Sequence, residues 1–317
     1  MNPDLLNYES GRLLDSIDSP TSPRQQKFFA TLFTCDNRYI FEYVSRYVDT
    51  EEKDGWMARL LALKSVMLHC IGQHSSANQQ ARIVATALSE LGDGMDTFYQ
   101  SLVQYLVKIS ELDLDPNKLA PMGTAIIGDS HTVSISQVIN GASEGITYLP
   151  GITLRGLSSP FQNSYQKAML NAAAVHQRKN RVLFSVGEID QRLSYQIGIK
   201  NLANNYDSYL DRLFETLRKG LEKIASLKCP YQEFFVLSLP PFDAALVSKN
   251  SLSDEQTQKI VAQIENYGRI YEETAESLGI RVIGRSVMRY GTPHSNLLDH
   301  AHFHPSVYES IFNELGS

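Results

Sequence analysis

The chain has 317 residues, of which 43% are apolar, and it can therefore bury one large core or two smaller ones. Its formal net charge of −6 and the absence of a basic stripe argue against a nucleic-acid partner. Cys35, Cys70 and Cys229 form no Cys-x-x-Cys pair, which argues against a zinc site or a disulfide framework and is typical of a reducing compartment.

The N-terminal residues 1–23 are polar and contain Ser-Pro steps, so we expect an irregular lead-in. They have neither the basic start nor the apolar stretch of a signal peptide. No apolar run in the sequence approaches the length of about 20 residues that crosses a bilayer. We therefore expect a cytoplasmic protein with no membrane span.

Residues 25–111 carry helical signals throughout. Apolar side chains recur at helical spacing in four stretches, 28–47, 56–67, 77–91 and 98–109. The short connections predict antiparallel neighbours in a bundle or a short solenoid. Two prolines within 112–121 then mark a boundary, so we predict an all-helical domain at 1–120 and a second domain at 121–317.

The second domain alternates short β-rich runs with long helical ones, which predicts an α/β fold with a parallel sheet and helices on both faces. The predicted strands are 124–127, 145–149, 182–186, 234–239 and 280–283, and the predicted helices are 161–178, 206–226, 254–278 and 307–315. Open sheets of this class bind ligands beyond the carboxyl ends of their strands. Residues 128–130, 187–190 and 240–241 lie at such ends.

Two motifs contain the residue types that can make a serine nucleophilic. The first predicted strand breaks at Gly128-Asp129 and presents Ser130, and Asp299 and His302 stand three residues apart near the end of the chain. A serine hydroxyl is a poor nucleophile at neutral pH, so it needs an adjacent base, and the base needs an orienting acid. Gly-Asp-Ser is also typical of ordinary strand-to-helix turns. The Asp-x-x-His segment and its helical tail favour the catalytic interpretation.

Three alternating histidines, His300, His302 and His304, permit a second interpretation. An extended segment would place all three on one face, and neutral imidazoles bind zinc well. No second cluster of ligand residues stands nearby in the sequence, however. We therefore predict no metal and no cofactor, with His302 as the base and the other two as surface or supporting residues.

In the order and content of these motifs, residues 121–317 resemble the SGNH (GDSL-like) hydrolases. The resemblance implies a three-layer α/β/α flavodoxin-like parallel sheet and the hydrolysis or transfer of an ester through an acyl-serine. It also implies that Ser130 attacks, that His302 is the general base, and that Asp299 orients the imidazole. The expected substrate is a small-molecule or carbohydrate ester.

The third motif of that family, Gly-x-Asn-Asp, is altered here. Gly187 and Asp190 match it, but Ile189 replaces the asparagine, and the block is similar to a variant bacterial subgroup with Gly-Glu-Ile-Asp-x-Arg, which Arg192 completes. The asparagine normally donates to the oxyanion, and losing one such donor costs about 2.7–4 kcal/mol in the barrier.

Several interpretations of this block remain open. Glu188 pairs with Arg192 or Arg155 and positions the substrate, His131 or Arg192 replaces the missing donor, or the site is slow or inactive. A salt bridge that closes a helix start is the structural alternative. Of these residues, we predict Glu188, Asp190, Arg192 and His131 to bind substrate.

The resemblance also implies that a glycine N–H after the second strand joins the Ser130 amide in the oxyanion hole. Gly156 is the preferred candidate, because the sequence that follows it opens a helix, and Gly151 is the alternative. The rival to an enzyme is a binding or scaffolding protein. In that case the helical domain recruits a protein partner, and the α/β domain binds a glycan or peptide without turnover.

Overall fold

A computed structural model describes residues 55–70, 72–90, 97–112, 123–139, 145–149, 151–161, 163–202, 205–240, 252–288 and 302–316. The predicted helix 28–47, most of the predicted boundary at 112–121, and Asp299 and His300 lie outside these residues. Of the helices in the described ranges, none is long and apolar enough to cross a bilayer.

Three helices precede the sheet and correspond to predicted stretches of the sequence. They are α1 (Gly55–Cys70), α2 (His74–Glu90) and α3 (Thr97–Ser110), and each packs against the other two. Residues 65–70 of α1 are all buried, because this helix also packs against the α/β part of the molecule. The helix α1 is therefore an internal layer.

Five parallel strands form one sheet in the order β2-β1-β3-β4-β5. They are β1 (Thr124–Gly128), β2 (Ile146–Tyr148), β3 (Arg181–Ser185), β4 (Glu233–Leu237) and β5 (Arg281–Ile283). The prediction of an α/β fold with a parallel sheet is confirmed, and every predicted strand is present with small shifts at its ends. The apolar runs are nearly continuous because both faces of the sheet are covered.

The remaining helices connect or follow the strands. They are α4 (His131–Val138), α5 (Leu154–Leu157), α6 (Ser164–Val175), α7 (Glu188–Asn201), α8 (Tyr206–Ala225), α9 (Asp254–Ser277), α10 (Arg285–Met288) and α11 (Ser306–Gly316). The apolar pattern predicts α6, α8, α9 and α11. It misses α7, because several polar side chains of that helix, including Glu188 and Gln191, are buried where apolar residues would be expected.

Alternate residues of the strands point to two separate cores. Ile126, Leu183 and Phe235 pack with side chains of α1, α3, α4 and α11. The neighbouring residues Ile127, Phe184 and Val236 pack on the opposite face with α5, α6, α8 and α9. The period of two along each strand thus serves two helical layers.

The first of these cores joins the N-terminal helices to the sheet. Leu63 of α1 and Leu106 of α3 belong to the same buried cluster as Val133 of α4 and Tyr148 of β2. The division into domains at 1–120 and 121–317 stays a prediction. The shared cluster means that removing α1–α3 would expose apolar side chains of the α/β part.

Candidate active site

The site begins at the carboxyl end of β1, where the backbone of β1 lies very close to β3. A Cβ added to Gly128 would lie 2.2 Å from the carbonyl oxygen of Ser185, so only glycine fits there. The next carboxylate, that of Asp129, accepts hydrogen bonds from the backbone N–H of His131 (3.1 Å) and from the Ser185 hydroxyl (3.2 Å). These contacts fix the turn that carries Ser130 to the N-terminus of α4.

The structure brings Ser130 and His302 together. The distance from Ser130 Oγ to His302 Nε2 is 2.7 Å, although the residues are 172 positions apart in the sequence. Proton transfer between a nucleophile and its base needs heavy atoms at roughly 2.6–3.2 Å. Asp299 lies outside the described residues, so its role as the orienting acid stays a prediction.

Of the other two histidines in the C-terminal segment, the structure describes His304. The half-buried His304 faces Ser306, with 2.7 Å between His304 Nδ1 and Ser306 Oγ at the start of α11. His300 lies outside the described residues. In the part of the chain that is described, no group of three or more His, Cys, Asp or Glu side chains is placed to hold a metal ion.

The imidazole of His302 lies between two other rings. The ring of Tyr105, on α3, stacks on it with 4.0 Å between centroids and 23° between planes. The ring of His131 lies 5.4 Å from it at 49°. The sequence predicts nothing for Tyr105 beyond one apolar position of a helix, so this neighbour of the base was missed.

His131 is almost fully buried, at 2% exposure, and both of its ring nitrogens face protein groups. Its Nδ1 is 2.7 Å from the Tyr308 hydroxyl, and its Nε2 is 3.9 Å from a carboxylate oxygen of Glu188. Burial alone would lower the pKa of His131, but Glu188 and Asp129 outweigh burial and raise this pKa. A direct contact between His131 and a substrate stays a prediction.

Glu188 and Arg192 form a buried ion pair one turn apart on α7. Arg192 Nε lies 2.5 Å from one carboxylate oxygen of Glu188, and Arg192 Nη2 lies 3.0 Å from the other. Burial would raise the pKa of Glu188, but the Arg192 guanidinium and His131 outweigh it and lower this pKa to about 2. This is the pairing that one interpretation of the sequence expected, and it extends the charged cluster that contains His131 and Asp129.

Asp129 is the second carboxylate of that cluster. Burial raises its pKa to about 6, although His131 acts in the opposite direction. A pKa this close to neutrality means that a small change in the charge of the cluster changes the protonation of Asp129.

Asp190 holds the backbone of α5. Its two carboxylate oxygens accept the N–H groups of Leu154 (2.7 Å) and Arg155 (3.0 Å), and the residue is 5% exposed. Burial raises the pKa of Asp190 to about 6, although these two hydrogen bonds partly oppose the shift. Asp190 therefore positions the segment that contains Gly156, and substrate binding by Asp190 itself stays a prediction.

The predicted oxyanion glycine, Gly156, uses its N–H within the protein. The N–H of Gly156 donates to Thr153 Oγ1 at 2.9 Å, and a Cβ at this position would lie 2.8 Å from the Tyr165 ring. Gly156 thus has a structural reason to be glycine, and its role as an oxyanion donor stays a prediction. Ile189 is buried at 3% exposure and brings no polar group to the altered third motif.

Comparisons with known proteins were made for the whole chain. No model of a protein family matches it, and neither a curated protein nor a solved structure was found to be similar. The case for a function therefore rests on the geometry of the site and on the motifs in the sequence.

Proposed function

We propose that this protein is a serine hydrolase or acyltransferase that acts on an ester through an acyl-serine intermediate. The observation that carries the proposal is the 2.7 Å contact between Ser130 Oγ and His302 Nε2. A hydroxyl at the start of a helix, with an imidazole nitrogen directly beside it, is the arrangement that makes serine nucleophilic.

The proposed reaction has two steps. Ser130 Oγ attacks the ester carbonyl carbon while His302 Nε2 takes its proton, and the tetrahedral intermediate then expels the alcohol, which receives that proton from His302. Water or an acceptor alcohol next attacks the acyl-serine and gives its proton to His302, and the proton returns to Ser130 as the acid or the new ester leaves. Asp299 is expected to hold the imidazole in the required orientation.

The position of the pair within the sheet supports this function. In doubly wound sheets of order 2-1-3-4-5, ligands bind beyond the carboxyl ends of the strands at the point between β1 and β3 where the strand order reverses. Ser130 follows β1 and Glu188 follows β3. The same order supports the proposal of a three-layer, flavodoxin-like SGNH hydrolase fold, to which the Gly-Asp-Ser and Asp-x-x-His motifs also point.

The oxyanion would be stabilised mainly by backbone donors at the start of α4. The N–H of Ser130 is the first candidate, since helix N-termini attract negative charge. The altered third motif provides no asparagine, so we expect slow turnover of simple esters. The proposed substrate, a small-molecule or carbohydrate ester, rests on the resemblance to the family alone.

A binding protein without turnover is the second candidate. It is favoured by one observation, that the N–H of Gly156 donates to Thr153 while Ile189 stands at the position of the asparagine. Two expected oxyanion donors are then missing together. In this alternative the α/β part binds a glycan or peptide and the N-terminal helices bind a protein partner.

A fluorophosphonate probe separates these two candidates, because it reports nucleophilicity without requiring turnover of a particular ester. Peptide mapping should find one labelled serine, Ser130, and His302→Ala should slow labelling at least about a hundredfold, since nucleophile and base act as a unit. Ser136→Ala removes a buried hydroxyl from the same helix and serves as the matched control, with unchanged labelling. A folded protein that is not labelled, or is labelled elsewhere, contradicts the proposal.

A further inference from the structure

Tyr105, a side chain of the N-terminal helices, lies directly against the proposed base. It belongs to α3, which precedes the part of the chain that resembles a hydrolase, and it is 1% exposed. Its ring stacks on the imidazole of His302 with 4.0 Å between centroids. At this distance and with nearly parallel planes, the imidazole cannot tilt toward α3.

The orientation of the Tyr105 ring is itself fixed by hydrogen bonds. The Tyr105 hydroxyl is hydrogen-bonded to Ser134 Oγ, and the Ser134 hydroxyl donates to the carbonyl oxygen of Phe303 at 3.3 Å. Ser134 lies on α4, the helix that begins after Ser130, and Phe303 follows His302 in the chain. One set of contacts thus ties α3 to the helix of the nucleophile and to the segment of the base.

The described groups that face His302 differ in charge. Ser130 and His131 approach it from α4, and Tyr105 approaches it from α3. His131 lies among carboxylates that favour its positive form, so it opposes a second positive charge on His302. The face of an aromatic ring attracts a cation, and the Tyr105 face is therefore the favourable surface for an imidazolium.

From this geometry we propose that Tyr105 is a positioning residue that holds His302 toward Ser130 and stabilises the imidazolium formed during catalysis. The inference rests on the proposed function, because it assigns a role in the same proton transfer. It also makes the N-terminal helices a part of the active site, so that a movement of α3 changes the reactivity of Ser130.

Three substitutions separate this role from ordinary packing. Tyr105→Phe keeps the aromatic face and Tyr105→Leu removes it, while Leu106→Ala disturbs the packing of the same helix at a buried neighbour. Tyr105→Leu should slow fluorophosphonate labelling and lower kcat about tenfold with KM changed less than about twofold, as expected for a lost cation–π contact to a buried base. Tyr105→Phe keeps the aromatic face and loses only the hydroxyl contact with Ser134, so its loss in both quantities should be clearly smaller than that of Tyr105→Leu.

A second readout does not depend on activity. In the wild type, ring-proton resonances of His302, assigned with His302→Ala, should lie upfield because of the Tyr105 ring current. This displacement should persist in Tyr105→Phe and vanish in Tyr105→Leu. If circular dichroism shows that Tyr105→Leu is unfolded, Tyr105→Met takes its place, because methionine is similar in size to leucine.

The outcomes distinguish the two proposals. A wild-type protein without serine labelling contradicts the proposed function, while the His302 resonances still test the stacking. If Tyr105→Leu and Tyr105→Met are both labelled at the wild-type rate, the proposed role of Tyr105 is overturned. A loss in Leu106→Ala that equals the loss in Tyr105→Leu also overturns it. A His302 resonance that is not displaced in the wild type also overturns it.

Discussion

The carboxyl ends of β1 and β3 place polar groups side by side but use them in opposite ways. After β1, Ser130 is half-buried and its hydroxyl faces His302, so that a proton can move between them. After β3, Glu188 is 5% exposed and both of its carboxylate oxygens lie within 3.0 Å of Arg192 nitrogens. The first end is arranged for a change of protonation, whereas the second satisfies its charges internally.

The two strand ends show that the place of a residue in a sequence motif does not by itself determine which contacts it makes in the fold. The β1 end keeps the residues that the SGNH resemblance implies, and their geometry fits that chemistry. The β3 end departs from the motif at Ile189, and the residues around it pair with one another.

The largest effect is expected at the β1 end. Ser130→Ala and His302→Ala should each lower ester turnover by about a thousandfold or more, because the nucleophile and base act as a unit, and the double variant should be no worse than either single one. Initial rates on a short-chain ester, with unchanged circular dichroism, provide the measurement. A double variant that loses the product of the two single effects would mean that the two groups act independently.

Substitutions at the β3 end should lower the stability of the fold, and the loss should differ between Arg192 and Glu188. Arg192→Met leaves Glu188 buried without its counter-charge, which typically costs about 3–5 kcal/mol of unfolding free energy. Glu188→Gln leaves an arginine whose side chain is 21% exposed and can turn toward water, so the loss should be smaller. Urea unfolding of both variants at pH 7 gives the comparison, and equal losses would contradict it.

The same pair predicts a pH dependence with a definite sign. Without Arg192, His131 still opposes burial, and we expect burial to raise the pKa of Glu188 above its ordinary value, so that the folded state binds more protons than the unfolded state. The penalty of Arg192→Met should therefore grow as the pH rises from 5 to 8. A penalty that stays constant over this range would show that Glu188 keeps its charge in the variant.

A chain that begins at residue 117 tests the predicted division into two domains. The prediction requires the parallel sheet to survive in the circular dichroism spectrum. The buried cluster shared by α1, α3, α4 and β2 leads us to expect dye binding by exposed apolar surface and lower solubility. The loss of Tyr105 should also slow the labelling of Ser130. An unfolded shortened chain would mean that the two parts fold only together.

The sequence predicts the fold well wherever the hydrophobic period is clear. All five strands and most long helices of the described part follow from apolar spacing, because both faces of the sheet are covered by helices. It fails at α7, whose buried polar residues hide the period. Within the site, the order of the motifs predicts Ser130 with His302 although 172 positions separate them, whereas Tyr105 could not be found, since it meets His302 only through tertiary packing.

The supporting roles of Asp190 and Thr153 were also beyond the sequence. A carboxylate at the end of a central strand predicts a contact with substrate as readily as a contact with backbone. Only the three-dimensional structure places the Asp190 oxygens on the N–H groups of Leu154 and Arg155. The choice between the two roles depends on the path of the loop after β2, which local propensity does not determine.

A second pH effect, which does not involve the site, concerns a pair of histidines, His69 of α1 and His74 of α2. His69 and His74 stack with 4.5 Å between ring centroids, and burial together with repulsion from His74 lowers the pKa of His69 to about 3. An unfolded chain binds this proton near pH 6.5, so stability from the neutral His69 is present above that pH and is lost as the pH falls toward 3. In this window the free energy of unfolding falls by about 1.4 kcal/mol per pH unit for each proton that only the unfolded chain binds.

His69→Phe should therefore flatten the dependence of stability on pH by up to about one proton between about pH 6 and 4. The buried carboxyls of Asp129 and Asp190, whose pKa values are raised to about 6, act in the opposite direction over part of this range, because they bind protons in the folded state. The difference between variant and wild type isolates His69 from them. Thermal unfolding at four pH values provides the measurement, and parallel curves for the two proteins would mean that His69 is already charged in the fold.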